Sequence, residues 1–404
     1  MASNSNAPGT KHPDFSQKGV NTQLSHLGRD SQAYHGFVNV PVFRGSTVLF
    51  PDIESMEDPS NMRFTYGLMN SPTIEALADT INTLEEAAGT VLVPSGLAAV
   101  TVPLLAVARP GMQVLVPDNV YWPTRRFCDQ TLSRYGVETI YYDPLIGSGI
   151  DDLILPDGKT VLFAEAPGSN TFEMPDLNAF LAAAKAKNAW TMIDNTWATP
   201  LIYKPVPAGF DFSIQAGTKY FSGHSDLLIG SISANERSYP DLLEAHGNIG
   251  LQAGTEEIFL TLRGMRSMSV RLAQHEKAAL ELARWLETQP FVRKVLHPGL
   301  PSDPGHSLWK DLFNGRASGL FGFELNGGKE QARTMLNTFE LFGLGYSWGG
   351  YESLAVMANL APARSTRPWT GGPVIRLQIG LEDVADLKAD ILAGAKAAGL
   401  PIGR

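Results

Sequence analysis

The chain has 404 residues, 44% of them hydrophobic and 18% charged, so it is neither disordered nor small enough for one compact core. A formal net charge of -9 argues against nucleic acid as the main partner, since phosphate binding wants a basic face. The single cysteine, Cys128, admits no intrachain disulfide and no cysteine-based zinc site, which fits a reducing, cytoplasmic setting.

Residues 1–65 read as an N-terminal arm, rich in Ser, Asn, Pro and Asp and poor in periodicity. Its first stretch, "MASNSNAPGTKHPDFSQKG", has no apolar run of the secretory kind. At "NSPTIEALADTINTLEEAAG" a helix is expected, capped by Asn70 or Ser71 with Pro72 in the first turn. Ile74, Leu77, Ile81 and Leu84 share one face, and Gly89 reads as the stop. From Ala87 no charge intervenes until Arg109, which is long enough to suggest a membrane span. Gly89, Pro94, Gly96 and Pro103 interrupt that run. A buried strand, a "PSG" turn and a buried helix fit it better.

Apolar runs then alternate with helical stretches. "TVLV" (90–93), "QVLVP" (113–117), "TVLFAEAP" (160–167), "WTMIDNT" (190–196), "FSIQAGT" (212–218) and "LIGSISAN" (228–235) read as strands. This alternation predicts an α/β fold with a mostly parallel central sheet flanked by helices, over residues 66–265. From 266 to 404 the texture changes: a long helix in "SVRLAQHEKAALELARWLETQ", then "GLFGFELNG" and "VIRLQIGLED". That segment reads as a smaller C-terminal α+β domain.

Three strand ends carry unusual residues, where open α/β sheets bind ligands. Ser95-Gly96-Leu97 opens a helix, so its backbone N–H groups can meet a phosphate. Alone, the motif is equally a tight turn. Asp194, in "MIDNTW", follows an apolar strand, where a carboxylate is costly unless paired. It is either a helix cap or structural ion pair, or the counter-charge of a buried cation. Lys219, in "DFSIQAGTKYFSGHSD", is either a snorkelling lysine or an amine held for attack on carbonyls. Together, the three match pyridoxal 5′-phosphate (PLP), which wants a Schiff-base lysine, an acid at the ring nitrogen and a phosphate cup. No metal is implied. "HEKAA" (275–279) lacks a second histidine, no GxxxxGK[ST] occurs, and His224 reads as a structural hydrogen-bonder.

"DFSIQAGTKYFSGHS" resembles, at every position, the PLP-attachment signature of the Cys/Met-metabolism enzymes. With "YYDPLIG", "LRGMRSMSVRLAQH", "YSWGGYESL" and "IRLQIGLED", the chain is most similar to the bacterial cystathionine β-lyase branch. The resemblance implies fold type I of the PLP-dependent transferases and a homotetramer, a dimer of dimers with shared sites. It implies an amino-acid substrate and carbon–sulfur β-elimination in methionine metabolism. Lys219 then carries the cofactor and moves protons, and Asp194 pairs with the ring nitrogen. Tyr121 stacks on the ring and takes a proton from the substrate amine. Gly96, Leu97 and Thr218 hold the phosphate, and Tyr66 reaches the phosphate of a neighbouring subunit. Arg376 clamps the substrate α-carboxylate beside Ser347 and Trp348. Ser169 stands where many relatives have asparagine. Racemisation, γ-elimination and γ-replacement are alternatives from the same chemistry. A PLP-fold binding or regulatory module is another.

The pattern departs at one place. After its tyrosine the β-lyase branch has Gly-Arg-Arg, whereas here Tyr66 is followed by Gly67, Leu68 and Met69. Gly247 falls where that branch offers a tyrosine. The missing arginines suggest a β-lyase preferring uncharged S-substituents, unless Arg63 restores the charge.

Overall fold

The computed structural model describes residues 14–403, so residues 1–13 of the expected arm lie outside the described residues. Helix α1 (Pro72–Glu85) begins at Ser71, whose hydroxyl accepts the Ile74 N–H, with Pro72 in the first turn. It ends at Glu86, not at Gly89. Glu86 takes the left-handed backbone (φ 52°) and its N–H returns to Asn82 O and Thr83 O. Gly89 instead opens β1 (Gly89–Val93), where a Cβ would lie 2.1 Å from the Tyr239 ring. That glycine answers a close approach, not a helix end.

The apolar run after Ala87 divides into β1 and α2 (Gly96–Val107). No helix among the described residues is long and apolar enough to cross a membrane. The first sheet continues with β2 (Gln113–Pro117), β3 (Glu138–Tyr142), β4 (Thr160–Glu165), β5 (Trp190–Asp194), β6 (Phe212–Gln215) and β7 (Gly230–Ala234). Between them run α3 (Trp122–Gln130) and α4 (Leu177–Ala186), and α5 (Tyr239–Ile249) follows β7. The spatial order is β1-β7-β6-β5-β4-β2-β3. Strands β2 to β6 are parallel to their neighbours among themselves, while β7 lies antiparallel to both β1 and β6. Side chains alternate across this sheet. Leu92, Leu115, Leu162 and Ile193 pack toward Leu77 and Ile81 of α1 and Phe180 of α4. Val91, Val93, Val114, Val116 and Phe163 pack toward Val102 of α2 and Leu242 of α5. Both faces are covered, which is why most of the strands are rich in apolar residues and poor in charge.

The second sheet holds β8 (Val292–Leu296), β9 (Leu320–Leu325), β10 (Gly343–Leu344), β11 (Leu354–Met357) and β12 (Val374–Gln378), in the order β10-β11-β12-β9-β8. Its pairs are antiparallel except β10 with β11. Leu282 and Leu286 of α6 (Met268–Glu287) and Leu387 and Ile391 of α7 (Val384–Ala397) share one core with Phe321, Phe323, Ile375 and Leu377.

Candidate active site

Ser95 caps α2, its Oγ accepting the Ala98 N–H at 3.1 Å. The N–H groups of Gly96 and Leu97, first in that helix, find no acceptor within it. A Cβ on Gly96 would lie 2.5 Å from the Ala216 Cβ, so glycine lets this turn press against the segment leading to Lys219. The Thr218 hydroxyl donates to Ile229 O at 3.1 Å and accepts the Ile229 N–H at 3.0 Å. Those bonds brace the backbone just before the lysine. From the other lobe comes Gly349, with φ +82°. A Cβ there would lie 3.0 Å from the Lys219 carbonyl carbon, a contact only glycine relieves.

Lys219 Nζ donates to Ser347 Oγ at 2.8 Å and lies 5.3 Å from the Trp348 ring centroid. Burial pushes its amine down to about 8, the Arg376 guanidinium adds to that, and the Asp194 carboxylate opposes it. Arg376, on β12, donates through Nη2 to Tyr346 O at 2.6 Å. At the end of β5, Asp194 Oδ1 accepts from Thr196 N at 3.0 Å and from its hydroxyl at 2.6 Å. Oδ2 accepts no hydrogen bond among the described residues. Tyr121 sits half-exposed at the start of α3, and desolvation, then the Asp194 and Glu165 charges, raise its phenol.

Glu165 is the residue the sequence reading passed over. It ends β4 directly opposite Asp194 in the parallel register, and its Oε2 accepts the Tyr121 N–H at 2.8 Å. Two buried carboxyls side by side cannot both ionise cheaply. Burial, then the Asp194 charge, raise Glu165, while hydrogen bonds from Tyr121 and Ser169 hold it in place. Burial raises Asp194 too, but Thr196 and the Lys219 charge pull it back. Thr196 and Lys219 therefore favour the charge on Asp194 and the shared proton on Glu165. The signal was present in "FAEAP", an acid closing an apolar strand, the same pattern as "MIDN".

Lys219, Asp194, Ser347, Trp348, Arg376 and Tyr121 thus form one cluster, beside the Gly96-Leu97 turn. Tyr66 does not join it within its own chain: it is half-exposed, and its backbone bridges to Thr47. His224 stands apart, with Nδ1 at 2.5 Å from Ser222 O.

The model of the family described as "Cys/Met metabolism PLP-dependent enzyme" matches residues 21–396. A Rhizobium johnstonii protein, provisionally named cystathionine beta-lyase, is 51% identical over 385 residues, 94% of this chain and 96% of that one. The cystathionine beta-lyase MetC of Escherichia coli is 40% identical over 392 residues, 94% of this chain and 99% of its own. Among solved structures, a cystathionine gamma synthase from Xanthomonas oryzae, in complex with aminoacrylate and cysteine, matches with a TM-score of 0.87 and 28% identity. That match covers 96% of this chain and 99% of that one. The chain belongs to the Cys/Met-metabolism family of PLP-dependent enzymes.

PLP is its cofactor, and the site fits that molecule. The uncovered Gly96 and Leu97 N–H groups suit a phosphate, the free Asp194 oxygen suits a ring N–H⁺, and the depressed amine suits a carbonyl. In cofactor-free protein, acylation of Lys219 is expected to rise with a midpoint near pH 8. Exposed lysines should follow about 10.4. Peptide mass spectrometry after brief acetic anhydride pulses at several pH values reads this directly. A Lys219 midpoint above pH 10 contradicts the site as described.

Proposed function

We propose that the protein is a carbon–sulfur β-lyase, converting L-cystathionine or a related L-cysteine thioether, with one water, to a thiol, pyruvate and ammonia. The observation that carries this reading is the 2.8 Å bond from Lys219 Nζ to Ser347 Oγ, which aims a partly neutral amine between Asp194 and Arg376. PLP, when bound, supplies the electron sink that makes an amino acid's α-proton removable. Gly96, Leu97 and Thr218 would hold its phosphate end, and Asp194 its ring nitrogen. Arg376 grips the substrate α-carboxylate with two parallel hydrogen bonds, flanked by Ser347 and Trp348. Tyr121 takes a proton from the incoming amine. Lys219, oriented by Ser347, removes the α-proton. In this reading residues 66–265 form the cofactor lobe, and 266–404 bring the carboxylate clamp.

The loaded enzyme, given cystathionine, should release pyruvate and thiol in equal amounts. Release of 2-oxobutyrate instead supports the γ-reaction. Enantiomer exchange without keto acid supports racemisation.

We also propose a homotetramer, a dimer of dimers acting in the cytoplasm, in which Tyr66 reaches a neighbouring subunit's phosphate. Exposed apolar residues on the arm, such as Phe37, Leu49 and Met56, support a covered surface there.

A second reading concerns the substrate's far end. A Cβ on Gly247 would lie 3.5 Å from Met69 Cε, so the two departures from the β-lyase pattern are neighbours in space. Arg63, the candidate to restore the missing charge, pairs instead with Glu75 at 2.6 Å. Near Leu68 and Met69 an anionic end group loses solvation without a partner, whereas an apolar S-substituent gains roughly 0.8 kcal/mol per buried methylene. We expect S-benzyl-cysteine to match or exceed cystathionine in kcat/KM, and the Leu68→Arg, Met69→Arg double variant to move the ratio toward cystathionine. A wild-type preference for cystathionine that the arginines leave unchanged rules this out.

A further inference from the structure

Strands β11 and β12 pair antiparallel, Met357 opposite Ile375, yet 16 residues (358–373) separate them. A hairpin normally needs about two to five. The excess reaches back to the first lobe and closes on one carboxylate. Asp118, fully buried beyond the end of β2, accepts the N–H groups of Ser365 at 2.7 Å, Thr366 at 3.0 Å and Arg367 at 2.8 Å. The Ser365 hydroxyl at 2.8 Å and Arg125 Nη2 at 2.7 Å also donate to it, and Arg364 Nε pairs with its Oδ2 at 3.4 Å. Burial alone raises this carboxyl's pKa, but these donors outweigh it and hold it well below the usual carboxylate range. Arg364, itself buried, donates to Thr171 Oγ1 at 2.8 Å and Glu173 Oε1 at 3.0 Å. Glu173 in turn accepts from Asn119 Nδ2 at 2.9 Å. The far end returns to its own sheet through Gly372 N–H to Glu324 at 2.7 Å.

The two main anchors bracket one residue. Asp118 lies three positions before Tyr121 and Arg125 four after it, on the same turn into α3. Three positions beyond Pro373, where the segment ends, stands Arg376. We propose that segment 358–373 is a strap whose clasp on Asp118 fixes the separation of Tyr121 from Arg376, which makes Asp118 and Arg364 positioning residues for the substrate's amino and carboxylate groups. The clasp joins the lobes through the walls of the substrate site and leaves Lys219 and Asp194 untouched. Its kinetic consequence rests on the function proposed above, whereas its structural consequence does not.

The test uses PLP-loaded enzyme, wild type and Asp118→Asn. The asparagine presents an N–H group to donors, so amide exchange in a 361–370 peptide should rise at least tenfold. Cofactor content and visible absorbance stay at wild-type values. kcat/KM for the best thioether falls about 100-fold, the scale of an ångström's misplacement of reacting groups. The Kd of glycine, which has the amine and carboxylate but no leaving group, rises with it. Arg364→Met should show the same signs, with partial recovery in Arg364→Lys, and this pair serves if Asp118→Asn does not fold. Faster exchange with kcat/KM and glycine affinity within twofold of wild type overturns the proposal, as does unchanged exchange. If wild type makes no pyruvate, the β-lyase reading fails instead. Glycine affinity and exchange then still decide the role of the clasp.

Discussion

Lys219→Ala is expected to cut turnover by roughly 10⁴-fold or more, the upper end of what one positioned proton-transfer group contributes. In the proposed function the variant deletes both the amine that would hold the cofactor covalently and the proposed base, which bonds Ser347 Oγ at 2.8 Å. It leaves the Gly96-Leu97 turn and Asp194 in place, so PLP should still bind, though without a borohydride-reducible link to the protein. Added methylamine should restore part of the lost rate, because a small amine fits the vacated volume and shuttles the same proton. Stopped-flow absorbance and coupled pyruvate release measure these effects together. Wild-type turnover with a reducible chromophore in Lys219→Ala removes the lysine from its assigned role.

Arg376→Lys keeps a positive charge and loses the planar fork. With Arg376 as the proposed carboxylate clamp, one charge-assisted hydrogen bond to the substrate disappears, so kcat/KM should fall about 10- to 100-fold. PLP content should not change. Tyr346 O already takes one guanidinium N–H at 2.6 Å, which fixes the plane of the fork before substrate arrives. A lysine in its place has no second prong to hold that direction. Burial lowers the Arg376 pKa to about 10, so the wild-type arginine stays protonated across the working range. Loss of PLP with normal kinetics in the remaining holoenzyme places Arg376 outside the substrate site.

What the sequence disclosed and what it withheld divide along physical lines. The strands that became β1, β2, β4, β5, β6 and β7 are buried on both faces, so they read as short runs rich in apolar and small residues and almost free of charge. Strand β3 lies at the sheet's edge, and its "ETIYY" is half-exposed, so its apolar signal was too weak to be taken as a strand. The cap at Ser71 was legible because the bond it makes is local. Glu165 was visible as an acid closing an apolar strand, but its partners, Tyr121 and Asp194, were not, because the fold and the sheet register bring them to it. The strap was hidden most completely. "ARSTRPWTGG" reads as an ordinary loop, and its acceptor, Asp118, lies 247 residues from Ser365. No periodicity or capping rule spans that distance.

The arrangement of β1 also bears on how the chain is made. Among the described residues β7 is the one strand beside β1, so Val93 waits for Gly230 before its ladder can close. A ribosome adds about 5–20 residues per second, which leaves the pair apart for roughly 7–30 s. During that interval β1 and α2, a stretch without a single charge from Ala87 to Ala108, emerge with no sheet to bury them. A long charge-free segment is therefore also one of the earliest to emerge, and it stays without its strand partner until β7 appears.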